Sequence, residues 1–250
     1  MCCFSQSVTS VAGTRIFARR GKGTRQFLAY QMTFSSPVDL AMILPLPVPQ
    51  GTLEGAVHFI NLEAFPEFFD RLKDGFPDPP TRGLSKSDGP IAAAANAPLA
   101  VEQVGSYEAS FVPTLKDYAR LDARFRLKEG TWDRLPQYES YGFAVFKLKK
   151  EAHTVHPMAF EFPRADGSKL FFPTVHIHDG TVHPDAHFDH QLYCQIAEGE
   201  SLDAVAAWRE SAQLAGQFVN ASMAKGLIDP AAHCYLRPLA GVLPNRDTWV

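Results

Sequence analysis

The apolar positions in the first fifty residues alternate in a way that is typical of β-strands. Strands are predicted at 15–18 and 26–34, and alternate large apolar residues would share one face of the second. Residues 40–46 are apolar on both faces, as in a central strand that is buried on both sides. The prolines at 45, 47 and 49 would end that strand, because proline cannot donate to a β-ladder.

Strand patterns return in the second half of the chain. Residues 100–112 and 141–148 are predicted as strands from their aromatic and β-branched content. Residues 155–162 and 169–177 are predicted to pair as a hairpin around the turn Asp166-Gly167.

Three segments have the periodicity of amphipathic helices. Asn61 is placed to cap a helix at 62–72, and Thr114 is placed to cap a helix at 115–125. The longest helix is predicted at about 201–225. Strands with a few packed helices predict the α+β class, built on an antiparallel or mixed sheet.

We expect one domain, 1–250, because the chain has the length of a single large domain. A segment rich in Pro, Gly and Ala, 76–98, lacks any periodic pattern and is predicted as a loop. This loop would join two sub-halves, 1–98 and 99–250. Each half begins with strands and continues with a helix, which suggests two related halves and a diverged duplication.

Charge and composition limit the classes of partner that we expect this chain to bind. With a formal net charge of −3, the chain has no excess of positive charge that would attract nucleic acid or an anionic membrane. No apolar window is long enough to cross a bilayer, and the N-terminus lacks the layout of a signal peptide, so a cytoplasmic location is expected. The four cysteines, at 2, 3, 194 and 234, are expected to be reduced thiols. A small-molecule ligand is compatible with this composition, and the oligomeric state is left open.

Ligand-type residues are concentrated in one stretch, 171–194. Five of the nine histidines of the chain lie there, together with three aspartates and a cysteine. The histidines are His176, His178, His183, His187 and His190. No other segment has this density, so the search for a function begins with it.

The spacing of the first two histidines predicts a metal centre. In a strand whose Val175 and Ile177 face a core, His176 and His178 would project together and reach one ion. A third ligand would come from the other histidines of the stretch. The predicted ion is a transition metal, zinc before copper or iron. Its bound water would perform hydrolysis, with Asp179 or Asp189 as the base or as the residue that orients a ligand.

Other interpretations of the same stretch remain open. The histidines could line a polar loop and bond to Asp189 and the backbone, or they could serve metal-free acid–base catalysis. A non-catalytic protein that binds or handles metal is a further alternative. Cys194, and the pair His233-Cys234, could supply a soft ligand, although a cysteine beside apolar residues is more typical of a core.

The second residue suggests a different chemistry. If Met1 is removed, Cys2 carries both a thiol and a free amine. In an N-terminal nucleophile hydrolase the thiol is the nucleophile and the amine is its base. This alternative requires the amine to lie close enough to the thiol to act as its base.

Several short segments resemble an uncharacterised bacterial family whose strand signature ends in the letters LPLPVP. These segments are Met42-Ile43-Leu44-Pro45-Leu46-Pro47-Val48-Pro49, Val104-Gly105-Ser106-Tyr107-Glu108, Tyr138-Glu139-Ser140-Tyr141-Gly142-Phe143, His156-Pro157-Met158 and Phe172-Pro173. The resemblance covers residues 2–177, and because the family has no established activity it implies architecture alone. Members of the family are often exported, whereas this chain lacks the signal. The histidine-rich stretch is not part of the pattern.

Overall fold

A computed structural model describes residues 2–77, 102–105, 107–197 and 199–250. At Cys2, Glu102 and 151–154 it describes the backbone alone. Most of the predicted loop at 76–98 therefore lies outside the described residues.

The described residues form strands from one end of the chain to the other. In chain order the strands are β1 (Cys2–Phe4), β2 (Ser10–Arg20), β3 (Arg25–Ser36), β4 (Leu40–Leu46), β5 (His58–Asn61), β6 (Glu102–Val104), β7 (Tyr107–Val112), β8 (Gly142–Leu148), β9 (Glu151–Thr154), β10 (Met158–Pro163), β11 (Phe171–Phe172), β12 (His176–Ile177), β13 (Asp185–Gln195), β14 (Arg209–Glu210), β15 (Tyr235–Pro244) and β16 (Thr248–Trp249). The strands predicted at 26–34, 40–46 and 141–148 are confirmed within β3, β4 and β8.

The strands build two large sheets and one small one. The first sheet has the order β12-β1-β4-β8-β7-β6, and the second has the order β14-β15-β13-β2-β3-β10-β5, with β9 also paired to β3. The short strands β11 and β16 pair with each other. Both large sheets are mixed, because β1 runs parallel to β12 and β13 runs parallel to β2.

The two large sheets face each other across a shared apolar core. The ring of Phe146, on β8 of the first sheet, lies 5.9 Å from that of Phe160, on β10 of the second. The central strand β4 is buried along its whole length, as its apolar pattern predicts. A second cluster lies on the other face of the second sheet, where Phe17 packs edge-on against Phe68 of a helix.

The predicted α+β class with packed helices is wrong, because the described chain is predominantly β. Its only α-helix is α1 (Phe68–Asp74), which begins six residues later than the helix predicted at 62–72 and ends two residues after it. The remaining helical segments are short 3₁₀ turns: Glu54–Ala56, Asp117–Arg120, Ala123–Phe125, Trp132–Arg134, Pro136–Tyr138, Asp203–Val205 and Ala215–Gln217. The predicted cap at Thr114 does form, since its hydroxyl accepts from the Asp117 backbone N–H, but two 3₁₀ turns follow it.

Long-range backbone bonds explain why 201–225 is not a helix. The amides of Ser211, Ala212 and Ala215 donate to the carbonyls of Cys234, Gly75 and Ala232, rather than to residues four positions earlier. Gly216 donates to Pro230 and lies so close to it that an added Cβ would be 2.8 Å from the proline Cβ. Hydrogen bonds to distant parts of the chain therefore decide the conformation of 201–225, although its sequence pattern favours a helix.

The hairpin predicted around Asp166-Gly167 is also wrong. β10 pairs with β3 and β5, whereas β11 pairs with β16 and β12 pairs with β1. Asp166 does lie in a turn, since its carboxylate accepts from the Ser168 amide. The strands that this turn separates belong to different sheets.

Strands from both predicted sub-halves pair with one another. β4 pairs with β8 in the first sheet, and β3 pairs with β10 in the second. The suggested duplication stays a prediction. Across the described residues, no helix has the length and apolar character needed to cross a membrane.

Candidate functional site

The histidine-rich stretch begins in a short strand at the edge of the first sheet. β12 lies parallel to β1, with His176 opposite Cys2 and Ile177 opposite Cys3. The side chain of Asn245 holds it from the other side, because its oxygen accepts from the His176 amide and its nitrogen donates to the His176 carbonyl. Asp247 accepts from the amides of Thr174 and Val175 just before the strand.

Three of the five histidines come together. The rings of His176 and His178 stack with centroids 4.8 Å apart, which confirms that the two side chains project on one side. His190 enters from β13, and its Nε2 lies 2.9 Å from Nε2 of His176. We call His176, His178 and His190 the histidine cluster.

Aromatic rings enclose the histidine cluster. Phe188 lies 4.5 Å from His176 and 5.1 Å from His190, and Phe4 lies 5.7 Å from His178, measured between ring centroids. His190 is buried, and neither its Nδ1 nor Nε2 of His178 has a hydrogen-bond partner among the described residues. The cluster is therefore a closed, mainly apolar environment rather than an open coordination site.

Burial keeps these histidines neutral. Desolvation lowers the pKa of His176 to about 3, that of His178 to about 4 and that of His190 to about 2. Groups with such pKa values do not exchange protons near neutral pH, so the cluster is poorly suited to acid–base catalysis there.

The other two histidines face solvent. His183 and Asp179 are both exposed and bond to each other, with 2.9 Å between Nε2 and Oδ2, and this bond lowers the pKa of Asp179. His187 lies on β13 three residues before His190, so strand alternation places it on the opposite, exposed face. Asp189 shares that face and accepts from the Gly13 amide at 2.6 Å.

The prediction of metal binding is wrong for the described residues, which contain no group of three His, Cys, Asp or Glu side chains able to hold an ion. Two nitrogen ligands on a tetrahedral zinc ion would be roughly 3.3 Å apart. The 2.9 Å between the nitrogens of His176 and His190 is instead a hydrogen-bond distance. Asp179 and Asp189, predicted as base or orienting residue, lie outside the histidine cluster and are exposed.

The remaining candidate residues are separate from the cluster. Cys194 and Cys234 are free and buried, and desolvation raises the pKa of both thiols, as expected of core residues. His156 is buried against Tyr107, with ring centroids 4.4 Å apart. Met1 and the side chain of Cys2 lie outside the described part, so the N-terminal nucleophile alternative stays a prediction.

Sequence reasoning missed the residues that hold the cluster in place. Asn245 and Asp247 are about seventy positions away from the strand they hold, and no local pattern connects them to it. Phe188 could have been found, because Phe188, His190, Leu192 and Cys194 alternate with polar residues along β13. That alternation places His190 on the buried face.

Sequence comparisons with known proteins find no relative. No protein-family model matches the chain, and no curated protein is significantly similar to it. The resemblance to a bacterial family therefore stays a prediction.

Comparison of folds does find similar structures. The chain is similar to the crystal structure of baculovirus P35, with a TM-score of 0.53 and 11% sequence identity over 96% of each chain. A mutated baculovirus P35 after caspase cleavage matches with a TM-score of 0.48 and 13% identity, over 96% of this chain and 97% of that one. The caspase-8/P35 complex matches with a TM-score of 0.43 and 14% identity, over 76% and 65%. At these identities the likeness concerns the fold alone.

Proposed function

We propose that this chain is a protein-binding inhibitor of a cysteine protease of the caspase class. The observation that carries the proposal is the fold likeness to baculovirus P35, which extends over 96% of both chains. A mutated P35 has been seen after caspase cleavage, and P35 has been seen in a complex with caspase-8. The transfer of this role to the present chain is an analogy of fold, because function depends on the site that a fold carries.

The histidine cluster is compatible with this role and does not favour an enzyme. Its rings are neutral and lie among Phe4 and Phe188, and Nε2 of His176 is occupied by Nε2 of His190. The cluster joins β12 to β13 through His176 and His190, and β12 pairs with β1, the first strand of the chain. A rigid scaffold of this kind suits a protein that presents its own chain to a partner.

The proposal is tested by titrating caspase-8 with the purified protein and following cleavage of a fluorogenic substrate. Activity is expected to fall with added protein and to reach zero at one equivalent per active site. Trypsin, titrated in parallel, should keep its activity. Unchanged caspase-8 activity at a large excess of the protein would refute the proposal, and so would equal loss of trypsin activity.

Mass spectrometry of the same mixture provides a second readout. Caspases cleave after aspartate, so a single cut on the carboxyl side of one aspartate is expected. Replacement of that aspartate by alanine should abolish inhibition, whereas Asp179→Ala, in an exposed turn, serves as the matched control. Inhibition that survives loss of the cut residue would contradict a substrate-like mode of binding.

A further inference from the structure

A groove of about 710 Å³ lies beside the outer strand of the second sheet. Leu239 and Leu243 of β15 and Phe188 of β13 form one side. Alternation along β15 and the pairing of Phe188 with Gly241 place these three side chains on the same face of the sheet. The volume is within the range of natural ligand sites.

Three further aromatic residues, Tyr138, Tyr141 and Trp249, also line the groove, and we call them the aromatic wall. Tyr138 and Tyr141 have ring centroids 5.2 Å apart, Tyr141 lies 6.3 Å from Phe171, and Phe171 lies 4.8 Å from Trp249. Tyr138 is buried, whereas Trp249 is 37% exposed. The wall therefore runs from the core to the surface, with the buried Phe171 behind it, and Tyr141 and Trp249 are the rings accessible to a bound chain.

The strand that borders the groove has an open edge. Among the described strands, β14 pairs with the outer edge of β15 at Leu236 and Tyr235 alone. The rest of that edge, from Arg237 to Pro244, has no strand partner in the described part of the chain. Such an edge accepts an extended peptide through its free backbone groups, while Pro238 and Pro244 limit uncontrolled pairing.

Two arginines give the groove its charge. Arg237 and Arg246 line it and are exposed, and neither forms an ion pair with a described carboxylate. The carboxylate of the third charged residue, Asp247, is committed to Tyr138, Thr174 and Val175. The accessible charge is therefore positive.

We propose that this groove binds an extended acidic segment of a partner protein, which adds to the open edge of β15. Its apolar side chains would lie against the aromatic wall, and its carboxylates would pair with Arg237 and Arg246. A second copy of this chain is a poor occupant, because antiparallel pairing of two β15 strands would bring like-charged ends together. The groove shares Phe188 with the surroundings of the histidine cluster but is lined by none of the three histidines, and the proposal does not depend on protease inhibition.

The strand geometry defines the probe. Arg237 and Pro244 are seven positions apart, which is roughly 23 Å of extended chain at about 3.3 Å per residue. A seven-residue peptide, acetyl-Glu-Thr-Phe-Thr-Leu-Thr-Glu-amide, directs Glu, Phe, Leu and Glu to one face and carries an acid at each end. With a fluorescent label, its binding is measured by anisotropy.

The full chain is expected to bind this peptide saturably, and to bind the version with Lys in place of Glu about tenfold more weakly. The double variant Arg237→Glu/Arg246→Glu should also lose about tenfold in affinity. Lys116→Glu/Lys128→Glu makes the same change in net charge at exposed positions away from the groove, and should bind as the wild type does. Hydrogen exchange of 237–243 should slow when the peptide is bound.

Three outcomes would overturn the proposal. They are the absence of saturable binding, an equal loss of affinity in both double variants, and protection from exchange elsewhere than β15. Self-association through this edge, detected as a concentration-dependent dimer that the peptide does not dissociate, would assign the groove to a second copy instead.

Discussion

At the scale of residues, the histidine cluster shows how burial decides what a ligand-type side chain can do. His176, His178 and His190 are gathered as the density of histidines suggested, but they are packed among aromatic rings rather than around an ion. Their low pKa values follow from desolvation. The cluster is therefore a structural element whose stability depends on pH.

Acid is expected to destabilise the protein through this cluster. An unfolded histidine has a pKa of about 6.5, whereas the folded values are well below that, so the unfolded state binds more protons as the pH falls. The stabilisation is complete above about pH 6.5, and each histidine loses up to about 2 kcal/mol between pH 7 and pH 5. Urea unfolding at the two pH values measures the loss.

Two variants test whether the acid sensitivity comes from the histidine cluster or from other groups in the chain. His190→Gln removes one buried titrating group and should reduce the difference in unfolding free energy between pH 7 and pH 5. His183→Gln, at an exposed position, should leave that difference unchanged. An equal difference in both variants and in the wild type would assign the acid sensitivity to other groups.

Part of this site could be predicted from the sequence. The shared side of His176 and His178 follows from strand alternation, and so does the burial of His190 beside Phe188 and Leu192. The packing against Phe4 and Phe188 could not be predicted, because it depends on how β1, β12 and β13 meet. Density of histidines alone does not distinguish a metal centre from a packed cluster.

At the scale of elements, the strands were easier to predict than the helices. β4 was predicted at its observed bounds, because apolar residues on both faces are a local signal. The segment at 201–225 was not, because the backbone bonds of Ser211, Ala212 and Ala215 to distant residues decide its conformation. The small sheet of β11 and β16 likewise depends on a pairing between residues far apart in the chain.

The segment after β15 is expected to be a principal support of β12. Asp247→Ala would leave the Tyr138 hydroxyl and the amides of Thr174 and Val175 without their acceptor, so the free energy of unfolding should fall by about 2–4 kcal/mol. Asp247→Asn should change it by less than about 1 kcal/mol, because the amide retains an acceptor for the two N–H groups and can donate to Tyr138.

Chemical denaturation of both Asp247 variants checks this expectation, with Asp185→Ala as an exposed control on β13. A loss in the asparagine variant as large as that in the alanine variant would show that the charge, rather than the hydrogen bonds, is what matters.

At the scale of the whole molecule, two mixed sheets around a shared core give an architecture similar to that of baculovirus P35. Neither the strand patterns nor the charge pointed to that architecture, because strand order is set by pairings such as β1 with β12 and β2 with β13. The same architecture brings the open edge of β15 and the aromatic wall together, and Phe188 lies between this groove and the histidine cluster. The groove is thus a surface for which a protein partner is proposed, separately from the proposed capture of a protease.

The central claim is that this chain captures a caspase-class protease, and isolation of the complex tests it most directly. The protein is mixed with an equimolar amount of caspase-8 active sites and passed over a size-exclusion column, with the mass of each peak measured by light scattering. One peak that contains both proteins and has no protease activity is expected. Separate elution of the two proteins, with caspase-8 fully active, would contradict it.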